Sequence, residues 1–181
     1  MGFLGQDTFL PAVPDGLRAQ GIALRREEEA DLPFLKALYA STREEEMARL
    51  ALIWDEGQKQ AFLEQQFMAQ RLHYQAQIED CRFAVIEREN EPVGRLYLQE
   101  RQTQLQIVDI ALMPVLRRQG VGSALLSALI DAAGRVGKGV GLFVEPDNPA
   151  IRLYRRLGFD GIVQTGFYLE MERPFEAMAV S

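Results

Sequence analysis

The sequence predicts a mixed α/β domain, and three observations lead there. The chain has 181 residues, 48% of them hydrophobic and 25% charged, which is the length and apolar content of one domain around one core. Its apolar runs switch between strand and helix periodicity in the order strand, two or more helices, three strands, helix, strand, helix, two strands. No internal repeat or low-complexity tract competes with that order. The expected organisation is a loose lead-in over residues 1–20, with Gly2, Gly5, Pro11, Pro14 and Gly16, then one domain over 21–174 and a tail over 175–181.

Ile22 to Arg25 is a short apolar run that reads as the first strand. Ala30 to Ala40 follows with Leu32, Leu35, Leu38 and Tyr39 at helical spacing. Ser41 to Glu46 then reads as a helix start, with Thr42 as cap, Glu45 closing a capping box and three glutamates in the first turn. That gives Glu44, Glu45 and Glu46 a structural explanation in preference to a substrate-binding one. From Met47 to Tyr74 the pattern stays helical with a break at Gly57, and Trp54, Phe62 and Phe67 are expected in the core.

Arg82 to Glu89 reads as a strand, Asn90-Glu91 as a turn, and Val93 to Gln99 as the hairpin partner. Leu105 to Leu112 is a third strand, apolar at nearly every position and so expected to be covered on both faces. Pro114 ends it. Gly120 to Ala133 reads as a helix stopped by Gly134, and Val140 to Val144 as the next strand. Asn148-Pro149 opens a short helix that Gly158 closes, and Ile162 to Gln164 and Phe167 to Met171 are two last strands meeting at Gly166.

Composition narrows the function classes. A net charge of −6 argues against a nucleic-acid surface, which needs clustered Lys and Arg, and suits a cationic substrate better. The one cysteine, Cys81, excludes an internal disulfide and a cysteine-based metal cluster, and it reads as a buried structural thiol. No run reaches the ~18 apolar residues of a membrane span, so the expectation is a cytoplasmic protein with no membrane, nucleic-acid or metal partner.

The chemistry concentrates between Ile107 and Leu126, where an apolar strand runs into Arg117-Arg118-Gln119-Gly120-Val121-Gly122 and a helix. A helix start exposes backbone N–H groups that lack intrahelical partners, and these can hold a diphosphate. Gly120 and Gly122 let phosphate oxygens approach the main chain, and Arg117 and Arg118 can add charge-assisted hydrogen bonds worth ~1.5–3 kcal/mol each. Three phosphate motifs use such glycines. The P-loop needs Gly-Lys-Ser/Thr, and Gly122 is followed by Ser123 with no lysine. The dinucleotide fingerprint needs a third glycine where Leu125 stands and a strand directly before the first.

The third motif, Arg/Gln-x-x-Gly-x-Gly/Ala, is met by Arg117, Gly120 and Gly122, and with it the chain resembles the GNAT N-acetyltransferases. Val108 to Pro114 resembles the strand that precedes this loop in the family, and Leu142 to Phe159, with Asn148 to Phe159 at its heart, resembles the second cofactor-binding segment. The resemblance in element order covers about Ile22 to Arg173. It implies the acyl-CoA N-acyltransferase fold, a mixed sheet splayed between its fourth and fifth strands with helices on both faces. It also implies acetyl-CoA as cosubstrate, with its diphosphate held by Arg117, Arg118, Gln119, Gly120, Val121, Gly122 and Ser123. The pantetheine arm would lie along Ile110, Ala111 and Leu112 as an added strand, with Asn148, Ala150 and Tyr154 toward its reactive end.

By the same resemblance a primary amine of a small molecule, peptide or protein attacks the thioester directly, and Tyr154 protonates the departing thiolate. The base does not follow from the resemblance. The glutamate of the histone-modifying branch falls on Gln106, and the matching position of the ribosomal-protein branch falls on Phe143. Asp109 and Glu145 are the nearest carboxylates. The missing carboxylate leaves open a second reading, a catalytically weak acyl-CoA-binding regulatory module. The acceptor cleft is expected between the helices of 32–74 and the loop near Gly166, where Glu44, Glu45, Glu46, Trp54, Gln66, Gln70 and Tyr74 offer contacts. Monomer and homodimer are both compatible with the family.

Overall fold

The computed structural model describes residues 11–175 apart from Phe167. The elements in order are α1 (Asp15–Arg18), β1 (Ile22–Arg26), α2 (Leu32–Thr42), α3 (Glu44–Arg49), α4 (Glu56–Gln77), β2 (Arg82–Arg88), β3 (Glu91–Glu100) and β4 (Gln104–Leu112). After them come α5 (Val121–Arg135), β5 (Gly139–Val144), α6 (Ile151–Arg156), β6 (Asp160–Thr165) and β7 (Tyr168–Arg173). The predicted mixed α/β order holds, and seven strands form one sheet in the order β1-β2-β3-β4-β5-β7-β6. All neighbours are antiparallel except β4 and β5, which are parallel. Leu17, inside the expected lead-in, is 4% exposed and belongs to the core.

Two apolar layers flank the sheet. On one face Val121, Leu125, Leu126, Leu129 and Ala133 of α5 form a helical stripe against Leu96, Leu98, Leu105, Ile107, Val140 and Leu142. On the other, α2 and α4 close around Leu35, Tyr39 and Phe67 and cover β3 and β4. Between Ile107 and Asp109 the register of β4 on β3 slips by one residue, so Val108 is a bulge. The bulge lets Ile107 and Ile110, three apart, both join the α5 face.

Several local expectations move. Thr42 does not cap α3: it is still helical in α2, and its hydroxyl donates to the Tyr39 carbonyl at 2.7 Å. The capping box lies further on, where Asp55 accepts from Gln58 N at 2.8 Å and Gln58 Oε1 accepts from Asp55 N at 3.0 Å. The helical pattern therefore breaks at residues 50–55, and Gly57 sits in the first turn of α4. Gly134 does not stop α5 either. The stop is Gly137 at φ +71°, with Gly137 N bonded to Gly134 O and Lys138 N to Ala133 O, a left-handed helix ending that favours glycine. Gly158 closes α6 in the same way, with Phe159 N bonded to Tyr154 O. Cys81 is only half buried, and burial pushes its thiol up to about 12.

Candidate functional site

The sheet opens where β4 and β5 part. They pair only from Gln104–Gly139 to Ile107–Leu142; past the bulge β4 has β3 alone as partner, while β5 keeps β7, which it pairs from Val140 to Val144. The opening leads into a cleft of about 750 Å³ between the sheet and the α2 and α4 helices. Asp109, Ile110, Ala111, Glu145, Asn148 and Tyr154 line it together, so residues from the two separated sequence segments do meet. Leu112 and the residues 117–123 lie outside that lining, at the end where β4 passes through the turn Pro114–Leu116 into α5, and Ala150, just before α6, lies outside it too.

The loop before α5 is shaped by its backbone. Arg118 at φ +61° and Gly120 at φ +81° are left-handed, and the first intrahelical donor is Ala124 N, bonded to Gly120 O at 2.9 Å. Val121, Gly122 and Ser123 therefore begin the helix with amides that no earlier turn satisfies. A Cβ on Gly120 would meet nothing within 4 Å, and one on Gly122 only the Leu112 Cδ1 at 3.6 Å. The protein itself leaves the space beside both glycines clear. A helical residue of that kind costs about 1 kcal/mol relative to alanine, so neither helix stability nor crowding within the protein explains Gly122. Arg118 is exposed, whereas Arg117 is engaged. Its Nε donates to the Leu112 carbonyl at 2.9 Å and its Nη2 to Ser41 O and Oγ at 3.2 and 2.9 Å, tying the end of β4 to α2. The Gln119 amide bonds back to the Val115 carbonyl.

The cleft wall is built from side chains. Asp109 Oδ2 accepts from Arg95 Nη2 at 2.6 Å and from the Tyr74 hydroxyl at 3.2 Å. The same Arg95 nitrogen donates to Gln70 Oε1 at 2.9 Å. Burial and the neighbouring Asp109 charge push the Tyr74 phenol up, so it stays a donor. Glu145 accepts from Arg43 Nη2 at 3.1 Å, and Arg43 lies 5.5 Å over the Tyr39 ring. Tyr154 is 7% exposed and stands edge-on to Phe159. Burial, helped by the Asp109 charge, pushes its phenol up to about 12. Gln106 is 2% exposed and its Nε2 reaches its neighbour's carbonyl at 3.4 Å, so the position is a buried amide.

Of the expected acceptor contacts, Gln66, Gln70 and Tyr74 line the cleft, and Glu44, Glu45, Glu46 and Trp54 do not. Trp54 packs edge-on to Phe62 instead. Gly166 is a left-handed turn residue outside the lining, and Phe167 lies outside the described residues. Sequence reasoning missed Arg43, His73, Arg95, Arg101 and Tyr168, all of which line the cleft. One signal was present: Arg95 stands between Val93 and Leu96 in an otherwise apolar strand, where a charge needs a partner. Among the described residues no cluster of three His, Cys, Asp or Glu could hold a metal ion, and no helix is long and apolar enough to cross a membrane.

An open mixed sheet whose single parallel pair diverges beside a glycine-led helix is a GNAT architecture. The chain belongs to the acetyltransferase (GNAT) family, whose model matches residues 37–159. No curated protein sequence matches it. Among solved structures it is similar to the PaiA N-acetyltransferase of Thermoplasma acidophilum in complex with coenzyme A, at 17% identity and a TM-score of 0.59 over 85% of this chain and 99% of that one. It is also similar to the ribosomal-protein-S18-alanine N-acetyltransferase of Escherichia coli, at 23% identity and a TM-score of 0.55 over 88% and 97%. A third is RimL, a ribosomal L7/L12 alpha-N-protein acetyltransferase in complex with coenzyme A, at 21% and 0.57 over 91% and 97%. At these identities the likenesses establish the fold.

Proposed function

We propose that the protein is an acetyl-CoA-dependent N-acetyltransferase that moves an acetyl group to the primary amine of a small molecule, peptide or protein by direct attack on the thioester. The observation that carries this reading is the divergence of β4 and β5, which leaves the main chain of Ile110, Ala111 and Leu112 without a β5 partner, with Ile110, Ala111 and Tyr154 lining the same cleft. The cleared space beside Gly120 and Gly122 fits a diphosphate on the amides of residues 120–123, with the exposed Arg118 adding charge. Family membership and the coenzyme A complexes of two relatives support the same cofactor. Acetyl-CoA supplies the acyl group already activated as a thioester.

The chain's own groups do the rest. Ile110 to Leu112 offer backbone donors and acceptors to an extended ligand, as an edge strand does. Asn148, whose Oδ1 accepts from Ala150 N at 2.9 Å, fixes the turn that leads into α6 and so aims Tyr154. Asp109 takes the amine proton: both of its bonds fall on Oδ2, leaving Oδ1 as the acceptor. Tyr154 is a neutral phenol below pH of about 12 and gives its proton to the departing thiolate. Glu145, clamped by Arg43, shapes the wall and is the second candidate base. The catalytic unit is the domain of residues 21–174 together with the preceding α1, whose Leu17 completes its core, acting in the cytoplasm.

Thiol release from acetyl-CoA across a panel of primary amines tests this directly, and sustained release with one of them is the expected result. Tight cofactor binding with no release for any amine would instead favour the regulatory module. That second reading has one observation behind it: Gln106 is an amide, and both nearby carboxylates are engaged by arginines.

A further inference from the structure

The chain is acidic, yet the cleft wall is not. Three arginines, Arg43, Arg95 and Arg101, line it against two carboxylates, Asp109 and Glu145. Both carboxylates are engaged, Asp109 by Arg95 at 2.6 Å and Glu145 by Arg43 at 3.1 Å. The glutamates of residues 44–46 lie outside the lining. Beyond the Asp109 Oδ1 that takes the one reacting amine, the further charges of a polycationic acceptor meet no carboxylate that an arginine does not already hold.

An anion meets the opposite situation. Arg101 is exposed and, among the described residues, pairs with no carboxylate; its Nε donates to Gln99 Oε1 at 2.9 Å, and Gln99 also lines the cleft. The neighbouring cation Lys138 is already held by Glu100 at 2.7 Å. Deeper in the wall, Nε of Arg43 and Nε of Arg95 are buried without a hydrogen-bond partner. Arg95 is 4% exposed, so its charge is balanced by Asp109 alone in surroundings that screen poorly. Gln66, Gln70 and Gln77 supply further donors along one stripe of α4.

We propose that the acceptor carries an anionic group, a carboxylate or a phosphate, besides the amine that is acetylated, and that Arg101 selects for it. This rests on the acetyltransferase reading above. The register of β3 on β4 sets Tyr97 opposite Asp109 and Glu100 opposite Leu105, so Arg101 lies about four residues, or ~13 Å, along the strand from Asp109. With the amine at Asp109 and the anion at Arg101, the two groups are several bonds apart. A dipeptide, an ω-amino acid or an aminoalkyl phosphate has that spacing; an α-amino acid does not.

Thiol release is measured with acceptor pairs that differ only in charge. These are dipeptides and ω-amino acids against their carboxamides, and aminoalkyl phosphates against the amino alcohols, with spermidine as the polycation. The best acceptor is expected to be anionic, with kcat/KM about tenfold or more above its neutral partner, as a charged hydrogen bond supplies. The carboxylate and phosphate arms tell which anion is used. Arg101→Gln is expected to raise KM for the anionic acceptor by about tenfold on the same ground, with kcat within about twofold and the neutral partner unaffected. Arg101 is a surface residue, and an unchanged Tm with unchanged acetyl-CoA binding confirms that the variant is folded. A neutral or polycationic best acceptor, or discrimination that survives Arg101→Gln, overturns the proposal and leaves the acetyltransferase reading standing. Failure of the unaltered protein to bind acetyl-CoA overturns both.

Discussion

The loop before α5, just outside the cleft lining, and the cleft wall near α4 make up two ends of the site, and they are made differently. The end near α5 is made of main chain: a left-handed Arg118, a left-handed Gly120 and the first amides of a helix, all within seven residues of Arg117. The end near α4 is made of side chains brought from far apart, Arg43 to Glu145 across 102 positions and Tyr74 to Asp109 across 35. A backbone site tolerates any side chain that leaves it room. A side-chain site depends on each partner, because removing one leaves the other buried and unpaired. Substitutions at the two ends are therefore expected to fail in different ways.

The largest separation of fold from function is expected at Gly122. A glutamate there suits the first turn of a helix and has room for its Cβ, but sets its carboxylate where the diphosphate would lie. Gly122→Glu should leave the thermal unfolding midpoint unchanged and weaken acetyl-CoA binding by about a thousandfold in calorimetry, the loss of two or more charged hydrogen bonds.

Asp109→Asn should show the opposite pattern. It leaves the Arg95 charge in the wall without a carboxylate and should cost about 3 kcal/mol of stability in urea unfolding as well as activity. A variant as stable as the parent would show that Arg95 finds its balance elsewhere.

Tyr154→Phe sits between the two ends. Losing a general acid should lower kcat about a hundredfold, while the cofactor Kd measured by calorimetry stays within about twofold, since the ring still packs on Phe159. Unchanged turnover would remove Tyr154 as the acid.

Smaller effects belong to the frame behind the site. Arg25 beside Asp31 holds that carboxyl below its ordinary range, and the pair joins β1 to the start of α2 through two contacts of 2.7 Å. A lowered native pKa makes the contribution complete at neutral pH and lost as acid protonates Asp31. The parent should therefore exceed Asp31→Asn by about 2 kcal/mol near pH 7, and the gap should close as pH falls below about 4. Glu145→Gln, at a partly exposed pair, should cost at most about 1 kcal/mol.

The same contrast explains what was legible in the sequence. Gly120, Gly122 and Arg117 announce the α5 end because the chemistry is local: a helix start and the glycines that clear it occupy consecutive positions. The order of elements along the chain followed from periodicity and the parting of β4 from β5 from the family resemblance, and the structure bears out both, while the place of β7 between β5 and β6 in the sheet was not read from the sequence. The α4 end was legible only in part: Gln66, Gln70 and Tyr74 were expected there and line the cleft, but nothing near Asp109 in the sequence says that Arg95 and Tyr74 will meet it. Thr42 shows the same limit on a smaller scale. Its spacing to Glu45 fits a capping box, but α2 runs two residues further than its apolar pattern and claims the hydroxyl. Arg117 fits the motif's charge and yet spends three contacts on Leu112 and Ser41, partners that only the fold supplies.

Calorimetric titration of the protein with acetyl-CoA tests the central claim most directly. The expected result is saturable one-to-one binding in the unaltered protein that disappears in Gly122→Glu while both proteins unfold at the same temperature. No heat of binding at millimolar acetyl-CoA, or equal binding by the two proteins, would contradict it.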